Sequence, residues 1–133
     1  MRLTKPSFSL RWVLAADAAS SAGAGLLLML AAEPLGTSLA IPTDLFFFAG
    51  LSMLPFAGLV LYVATRAAIA PKAVWAIIAF NALWALDSLL LPATGWVAPT
   101  NFGLALVVAQ GLWVAVFAEI EYVALRRSMT EAA

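Results

Sequence analysis

The chain has 133 residues, of which 65% are hydrophobic and 11% are charged, and its mean hydropathy is +1.02. Soluble domains average about 45–50% apolar and about 25% charged residues, so this composition excludes an ordinary soluble globule and a disordered chain. Seven Lys and Arg residues balance seven Asp and Glu residues, which excludes the basic excess typical of a nucleic-acid-binding protein. The composition predicts an integral membrane protein in a lipid bilayer.

Four apolar runs follow one another along the chain. They predict transmembrane helices over about residues 12–32, 45–65, 73–91 and 102–125, each long enough to cross a hydrocarbon core of about 30 Å. The first run could instead be a signal peptide, but it is longer than a typical apolar signal region of about 7–15 residues, and it contains Asp17. We therefore predict an all-α, four-helix membrane bundle that forms a single domain over residues 1–133.

The basic residues predict the orientation of this bundle. All seven lie in the first tail, between the second and third runs, or in the last tail. By the positive-inside rule, both termini are expected in the cytoplasm.

Cysteine and histidine are both absent from the sequence. Their absence excludes disulfides, thiolate nucleophiles and the usual ligands of zinc, haem and iron–sulfur clusters. With four helices filling most of the chain, little remains for a domain outside the membrane. We expect no cofactor, no metal and no enzymatic activity.

Three carboxylates lie within the predicted spans, namely Asp17, Asp87 and Glu119. Such groups are functional candidates, because a charge in the hydrocarbon is unfavourable by about 2.5–3.5 kcal/mol on insertion scales. At 1.5 Å per residue, Asp17 lies about 9 Å from Arg11 and Glu119 about 10 Å from Arg126, so the two carboxylates have similar depth. As a pair they would share a proton and could couple its movement to a cationic solute.

A structural interpretation of the same carboxylates stays open. Asp17 and Glu119 could each reach the interface or pair with a basic residue such as Arg11, Arg66 or Arg126. Glu121 is expected to be solvated at the interface. Asp87 is expected nearer the opposite side of the membrane. It could bind a cation or a polar head group, or it could be a protonated carboxyl that forms a hydrogen bond between helices.

Amides and indoles recur on the third and fourth helices. Asn81 and Trp84 are three residues apart, as are Gln110 and Trp113, so each pair shares a helix face. Polar groups in lipid need partners, which favours a hydrogen-bonded seam between these helices. The alternative is an aromatic pocket for a lipid or another hydrophobic ligand.

Small residues mark possible packing surfaces. Ala19, Gly23 and Gly25 on the first helix, with Gly103 and Gly111 on the fourth, would let neighbouring helices approach closely. The first helix is therefore expected at the centre of the bundle or against a second chain.

The motif Arg-Trp-x-Leu-x-x-Asp begins at Arg11, and it is followed by Leu54-Pro55, Asn81-x-x-Trp84, Gln110 and Glu119. Over nearly its whole length, the chain resembles small four-helix bacterial inner-membrane proteins with no assigned function. This resemblance implies the fold and the inner membrane, but no activity. Asp17 followed by small residues is also similar in kind to small multidrug resistance transporters, although those use Glu and the rest of their pattern is absent here.

Three functions agree with these features. The first is a non-enzymatic accessory or scaffold protein that packs against another membrane protein or forms a homo-oligomer. The second is a small proton-coupled carrier that uses Asp17 and Glu119. The third is a binder of lipids or hydrophobic ligands.

Overall fold

The computed structural model describes residues 8–132 and places nearly all of them in helices. The elements in chain order are α1 (Phe8–Leu30), α2 (Ala32–Leu39), α3 (Thr43–Ala64), α4 (Pro71–Leu90), a 3₁₀ turn (Leu91–Thr94) and α5 (Asn101–Ala132).

Four segments of the described chain are long and apolar enough to cross a membrane: Leu10–Leu30, Thr43–Ala64, Pro71–Thr94 and Asn101–Thr130. Their outward faces are apolar as well, with Leu30, Phe48 and Leu83 each at least 60% exposed. A helix that is apolar on every side is suited to a lipid environment rather than to water. The predicted all-α, four-helix bundle of a multi-pass membrane protein is confirmed.

The helix boundaries differ from the prediction in two places. Residues 33–39 lie beyond the predicted end of the first span at residue 32, yet they belong to the short helix α2, whose carbonyl at Leu39 accepts a hydrogen bond from the Thr100 amide at 3.0 Å. Helix α5 continues beyond the predicted end near Leu125 to Ala132. Arginine favours helix, so Arg126 and Arg127 mark a change in polarity rather than the end of the helix.

Two helical hairpins make up the bundle. In the first hairpin, α1 packs along α3, and the backbones approach closely where Gly25 faces Gly50. A Cβ atom added to Gly50 would lie 2.5 Å from the Gly25 carbonyl oxygen, so only glycine fits there. In the second hairpin, α4 packs along α5.

The hairpins meet mainly through α1 and α5, and Phe56 on α3 also stacks on Phe80 of α4, with 4.1 Å between ring centroids.

The Arg11 guanidinium donates hydrogen bonds to the carbonyls of Ala64 and Arg66, which ties the start of α1 to the end of α3. A cation at a helix C-terminus is favourable, because the free carbonyls there are partly negative. We call this end of the bundle, where Arg11, Arg66, Lys72 and Arg126 lie, the basic end.

Candidate functional site

The buried face of α1 places a carboxylate in the core. Its buried positions from Leu10 to Gly25 recur every three or four residues, which is the spacing of one helix face. Asp17 and Ser21 occupy this face among apolar and small residues and lie one turn apart. The sequence pattern therefore directs the Asp17 side chain toward the other helices and away from lipid.

Asp17, Ser21, Asn81 and Glu121 form one hydrogen-bonded group, which we call the carboxylate cluster. The Asn81 Nδ2 atom donates to Asp17 Oδ2 at 2.8 Å and to Glu121 Oε1 at 2.7 Å. The Ser21 hydroxyl donates to Asp17 Oδ1 at 3.2 Å. Because an amide nitrogen has two hydrogens, Asn81 gives one to each carboxylate and joins α1, α4 and α5.

The cluster is almost entirely shielded. Exposure is 4% for Asp17, 7% for Ser21, 3% for Asn81 and 0% for Glu121. Glu121 Oε2 has no hydrogen-bond partner, although it is completely buried. A buried polar atom without a partner is unfavourable, so this oxygen is a place where a proton or another ligand would stabilise the protein.

Within residues 8–132, the arginines of the basic end do not pair with the cluster. Arg11 donates to carbonyls of α3, the Arg66 guanidinium lies 4.5 Å from the centre of the Tyr62 ring, and Arg126 lies over Tyr122. The three arginines predicted as possible partners of the membrane carboxylates thus have other contacts. Two neighbouring carboxylates in a medium of low dielectric constant cannot both ionise easily, and a proton shared between them relieves the repulsion.

The predicted pairing of Asp17 with Glu119 is wrong, because Glu119 is not the second carboxylate of the cluster. Glu119 is exposed on α5, and Glu121, expected to be solvated at the interface, is the buried partner. Successive helical residues are about 100° apart, so residues 119 and 121 point to nearly opposite sides of the helix. Depth along the helix was similar for both, and rotation about its axis decided which one enters the core.

A signal for Glu121 was present in the sequence. Gly111, Ala118 and Leu125 are seven residues apart, and all three are buried. The face that this spacing defines also includes Glu121, three residues after Ala118, and excludes Glu119. The heptad spacing that starts at the predicted packing position Gly111 therefore indicates Glu121, rather than Glu119, as the buried carboxylate.

The predicted seam of amides and indoles is only partly continuous. Trp84 Nε1 donates to Gln110 Oε1 at 3.0 Å between α4 and α5, as the seam requires. Trp113 Nε1 instead donates to Ser20 on α1 at 3.2 Å, and Asn81 belongs to the carboxylate cluster. Gln110 and Trp113 are exposed and Trp84 is half-buried, so these residues lie on the surface rather than around an enclosed pocket.

The third predicted carboxylate, Asp87, is exposed near the far end of α4. It follows Asn81 by six residues, which is about 9 Å along the helix axis toward the end opposite the basic end. The structure therefore does not bring Asp87 to the carboxylate cluster.

The predicted small-residue positions divide into two sets. A Cβ atom added to Gly25 would meet α3, one added to Gly103 would meet Leu39 of α2, and one added to Gly111 would meet Ser88 of α4. Ala19 and Gly23 are exposed, and a Cβ added to Gly23 would meet nothing within 4 Å. Among the described helices, Ala19 and Gly23 therefore have no close packing partner.

Within the residues that the structure describes, no group of three or more His, Cys, Asp or Glu side chains could hold a metal ion.

No protein-family model, curated protein or solved structure matches the chain.

Proposed function

We propose that the protein is a small proton-coupled membrane carrier whose proton site is formed by Asp17 and Glu121, bridged by Asn81. The observation behind this proposal is the wholly buried Glu121, whose Oε2 atom has no partner beside a second buried carboxyl. Asp17 already accepts hydrogen bonds from Ser21 and Asn81. Glu121 accepts a hydrogen bond from Asn81 through Oε1, but its Oε2 accepts none, and burying a second carboxyl is unfavourable, which favours a functional role.

The position of the cluster suggests how proton binding would couple to movement. Asp17 belongs to the hairpin of α1 and α3, whereas Asn81 and Glu121 belong to the hairpin of α4 and α5. Release of the shared proton leaves one negative charge on each hairpin, and their repulsion favours separation at this point. Rigid elements that move against each other in this way are a common basis of conformational switching.

In this proposal the carrier lies in the bacterial inner membrane with both termini in the cytoplasm. The basic residues of the sequence favour this orientation by the positive-inside rule. The cluster then lies nearer the cytoplasmic side, since Glu121 precedes Arg126 by about 7.5 Å along α5.

Cysteine labelling tests the proposal, because the native chain has no cysteine. Ala118→Cys introduces a buried thiol one turn before Glu121. In proteoliposomes, we expect a membrane-impermeant maleimide to label this thiol increasingly as the pH rises and the hairpins separate. Labelling of a Thr130→Cys variant, at an exposed position of the same helix, corrects for the pH dependence of the thiol itself.

Two further variants complete this experiment. In the Ala118→Cys background, Glu121→Gln should make the corrected labelling independent of pH, whereas Glu119→Gln should keep the original response. Labelling that is absent at every pH, or unchanged by Glu121→Gln, would contradict a carrier that opens at the cluster.

A second candidate function is an accessory or scaffold role, and the exposed small residues of α1 favour it. Ala19 and Gly23 leave space on the outside of the bundle that a helix of another membrane protein or of a second copy could fill. Native mass spectrometry of protein from its own membrane should then detect a second polypeptide or a homo-oligomer, and Gly23→Leu should remove it. Detection of the single chain alone would contradict this role.

A further inference from the structure

We propose that the carboxylate cluster is also a sodium site, where Na⁺ replaces the shared proton. This inference rests on the proposed proton site and names the ion that competes for it. The exchange is balanced: a protonated carboxyl binds Na⁺ as a carboxylate and releases H⁺, so the charge of the cluster stays the same.

The side chains of the cluster provide the oxygen ligands that a hard cation prefers. Glu121 Oε2 has no other partner, and Asp17 and the Ser21 hydroxyl lie next to the amide that joins the carboxylates. Rotation of the Asn81 amide by half a turn would exchange its nitrogen for its carbonyl oxygen at nearly the same position. The amide that donates to both carboxylates in the proton-bound form would then face the cation with an oxygen.

The surroundings favour a small monovalent ion over a larger ligand. The cluster lies on the same helix faces as core side chains such as Leu14, Ile77 and Ala118, and because protein cores are closely packed, a ligand there must be small. Ca²⁺ takes six to eight oxygen ligands, and Mg²⁺ usually keeps several waters. The four side chains offer at most six oxygens, so Ca²⁺ would need every one of them, and the apolar core around them does not favour the waters that Mg²⁺ keeps.

No cationic side chain in the described part of the bundle takes the place of such an ion. On α1, the Arg11 guanidinium is bound to carbonyls of α3. The other ionisable side chains whose burial is described on the helices around the cluster are exposed, namely Asp44 and Tyr62 on α3, Lys72 and Asp87 on α4, and Glu119, Tyr122, Arg126 and Arg127 on α5, as is Arg66 just after α3. Among the described residues, Asp17 and Glu121 are therefore the two buried carboxyls that a sodium ion would meet.

Thermal unfolding in detergent tests this inference. The melting temperature is measured from acid to alkaline pH in NaCl, KCl, MgCl₂ or choline chloride at constant ionic strength. NaCl should raise the melting temperature above the value in choline at the pH where the cluster loses its proton. The pH midpoint of the profile should fall by about one unit for each tenfold increase in sodium, the limit for two ligands that exclude each other.

Variants distinguish sodium binding from proton binding. Ser21→Ala removes one oxygen ligand but keeps both carboxyls, so it should raise the half-saturating sodium concentration about tenfold and preserve the pH profile in choline. Glu121→Gln should abolish both responses, and Glu119→Gln should change neither.

The possible outcomes distinguish this inference from the proposed function. A pH profile that persists in choline and is the same in NaCl overturns the sodium site and leaves the proton site in place. Equal stabilisation by KCl, or stabilisation by MgCl₂ instead of NaCl, also overturns it. A melting temperature independent of both pH and sodium contradicts the sodium site and the proton site together.

Discussion

Two kinds of polar contact join the helices of this bundle, and they differ in what surrounds them. The carboxylate cluster is more than nine-tenths buried, ends in an oxygen without a partner and brings two acidic groups together. The indole contacts, from Trp84 to Gln110 and from Trp113 to Ser20, are neutral and lie at or near the surface.

The difference indicates which polar groups serve packing and which are available for chemistry. A neutral donor and acceptor that satisfy each other join two helices with little energetic consequence in a membrane, about 0.6 kcal/mol per bond. The energetic contribution of a buried carboxyl depends on whether it is protonated and on every hydrogen-bond partner. Small chemical changes at such a group therefore have large effects on stability. Variants in the two regions should therefore differ in both the size and the pH dependence of their effects.

The largest effect is expected from Asn81→Leu. This change removes the donor to Asp17 and Glu121 and leaves both carboxyls in the core, so it should lower the free energy of unfolding by about 2–4 kcal/mol at neutral pH. Gln110→Leu, the matched change in the surface contact, should lower it by less than about 1 kcal/mol. Denaturant titration in mixed micelles measures both variants, and equal losses would remove the distinction between the two regions.

The next effect concerns the pH dependence of stability. The proposed site holds a proton in the folded protein that the unfolded chain releases, so stability should fall as the pH rises, by up to about 1.4 kcal/mol per pH unit. The double variant Asp17→Asn with Glu121→Gln should show a flat profile over the same range. The matched double variant Asp87→Asn with Glu119→Gln, at two exposed positions, should retain the slope. If stability still falls with pH after both cluster carboxyls are removed, the pH dependence comes from other groups.

A smaller effect is expected at the contact between Trp84 and Gln110. In a double-mutant cycle of Trp84→Phe and Gln110→Leu, the coupling energy should be about 0.6 kcal/mol and independent of pH. A coupling above about 2 kcal/mol, or one that changes with pH, would mean that this contact is linked to the carboxylate cluster.

The smallest effect is expected at Trp113, whose side chain is 59% exposed. Trp113→Phe keeps the ring and removes the donor to Ser20, so it should lower stability by only a few tenths of a kcal/mol. A loss above about 1.5 kcal/mol in the same denaturant titration would indicate that α1 and α5 depend on this bond.

The fold was largely predictable, because four apolar runs separated by Pro, Gly and charged residues already define four spanning helices. Asp17 and Asn81 were also recognised, since a polar group in such a run is conspicuous. The identity of the second carboxylate was not recognised, because helix rise gives the depth of Glu119 and Glu121 but not their rotation about the helix axis. Rotation depends on which face packs, and the heptad from Gly111 to Ala118 was the one local indication.

The partnership of Asn81 was beyond prediction for a related reason. Its spacing to Trp84 placed it between α4 and α5, whereas its hydrogen bond to Asp17 comes from the approach of a helix 64 residues away in sequence. Likewise, Ala19 and Gly23 resemble Gly25 in composition, and only the path of α3 determines that Gly25 is the packed position.

The most direct test of the central claim is infrared spectroscopy of the protein in lipid at neutral pH, with solvent exchange to identify carboxyl groups. A proton shared by Asp17 and Glu121 predicts a C=O band of a protonated carboxyl that exchanges slowly, because the cluster is buried. This band should disappear in Glu121→Gln and remain in Glu119→Gln. A spectrum without any protonated carboxyl, or a band that survives Glu121→Gln and Asp17→Asn, would contradict the proton site.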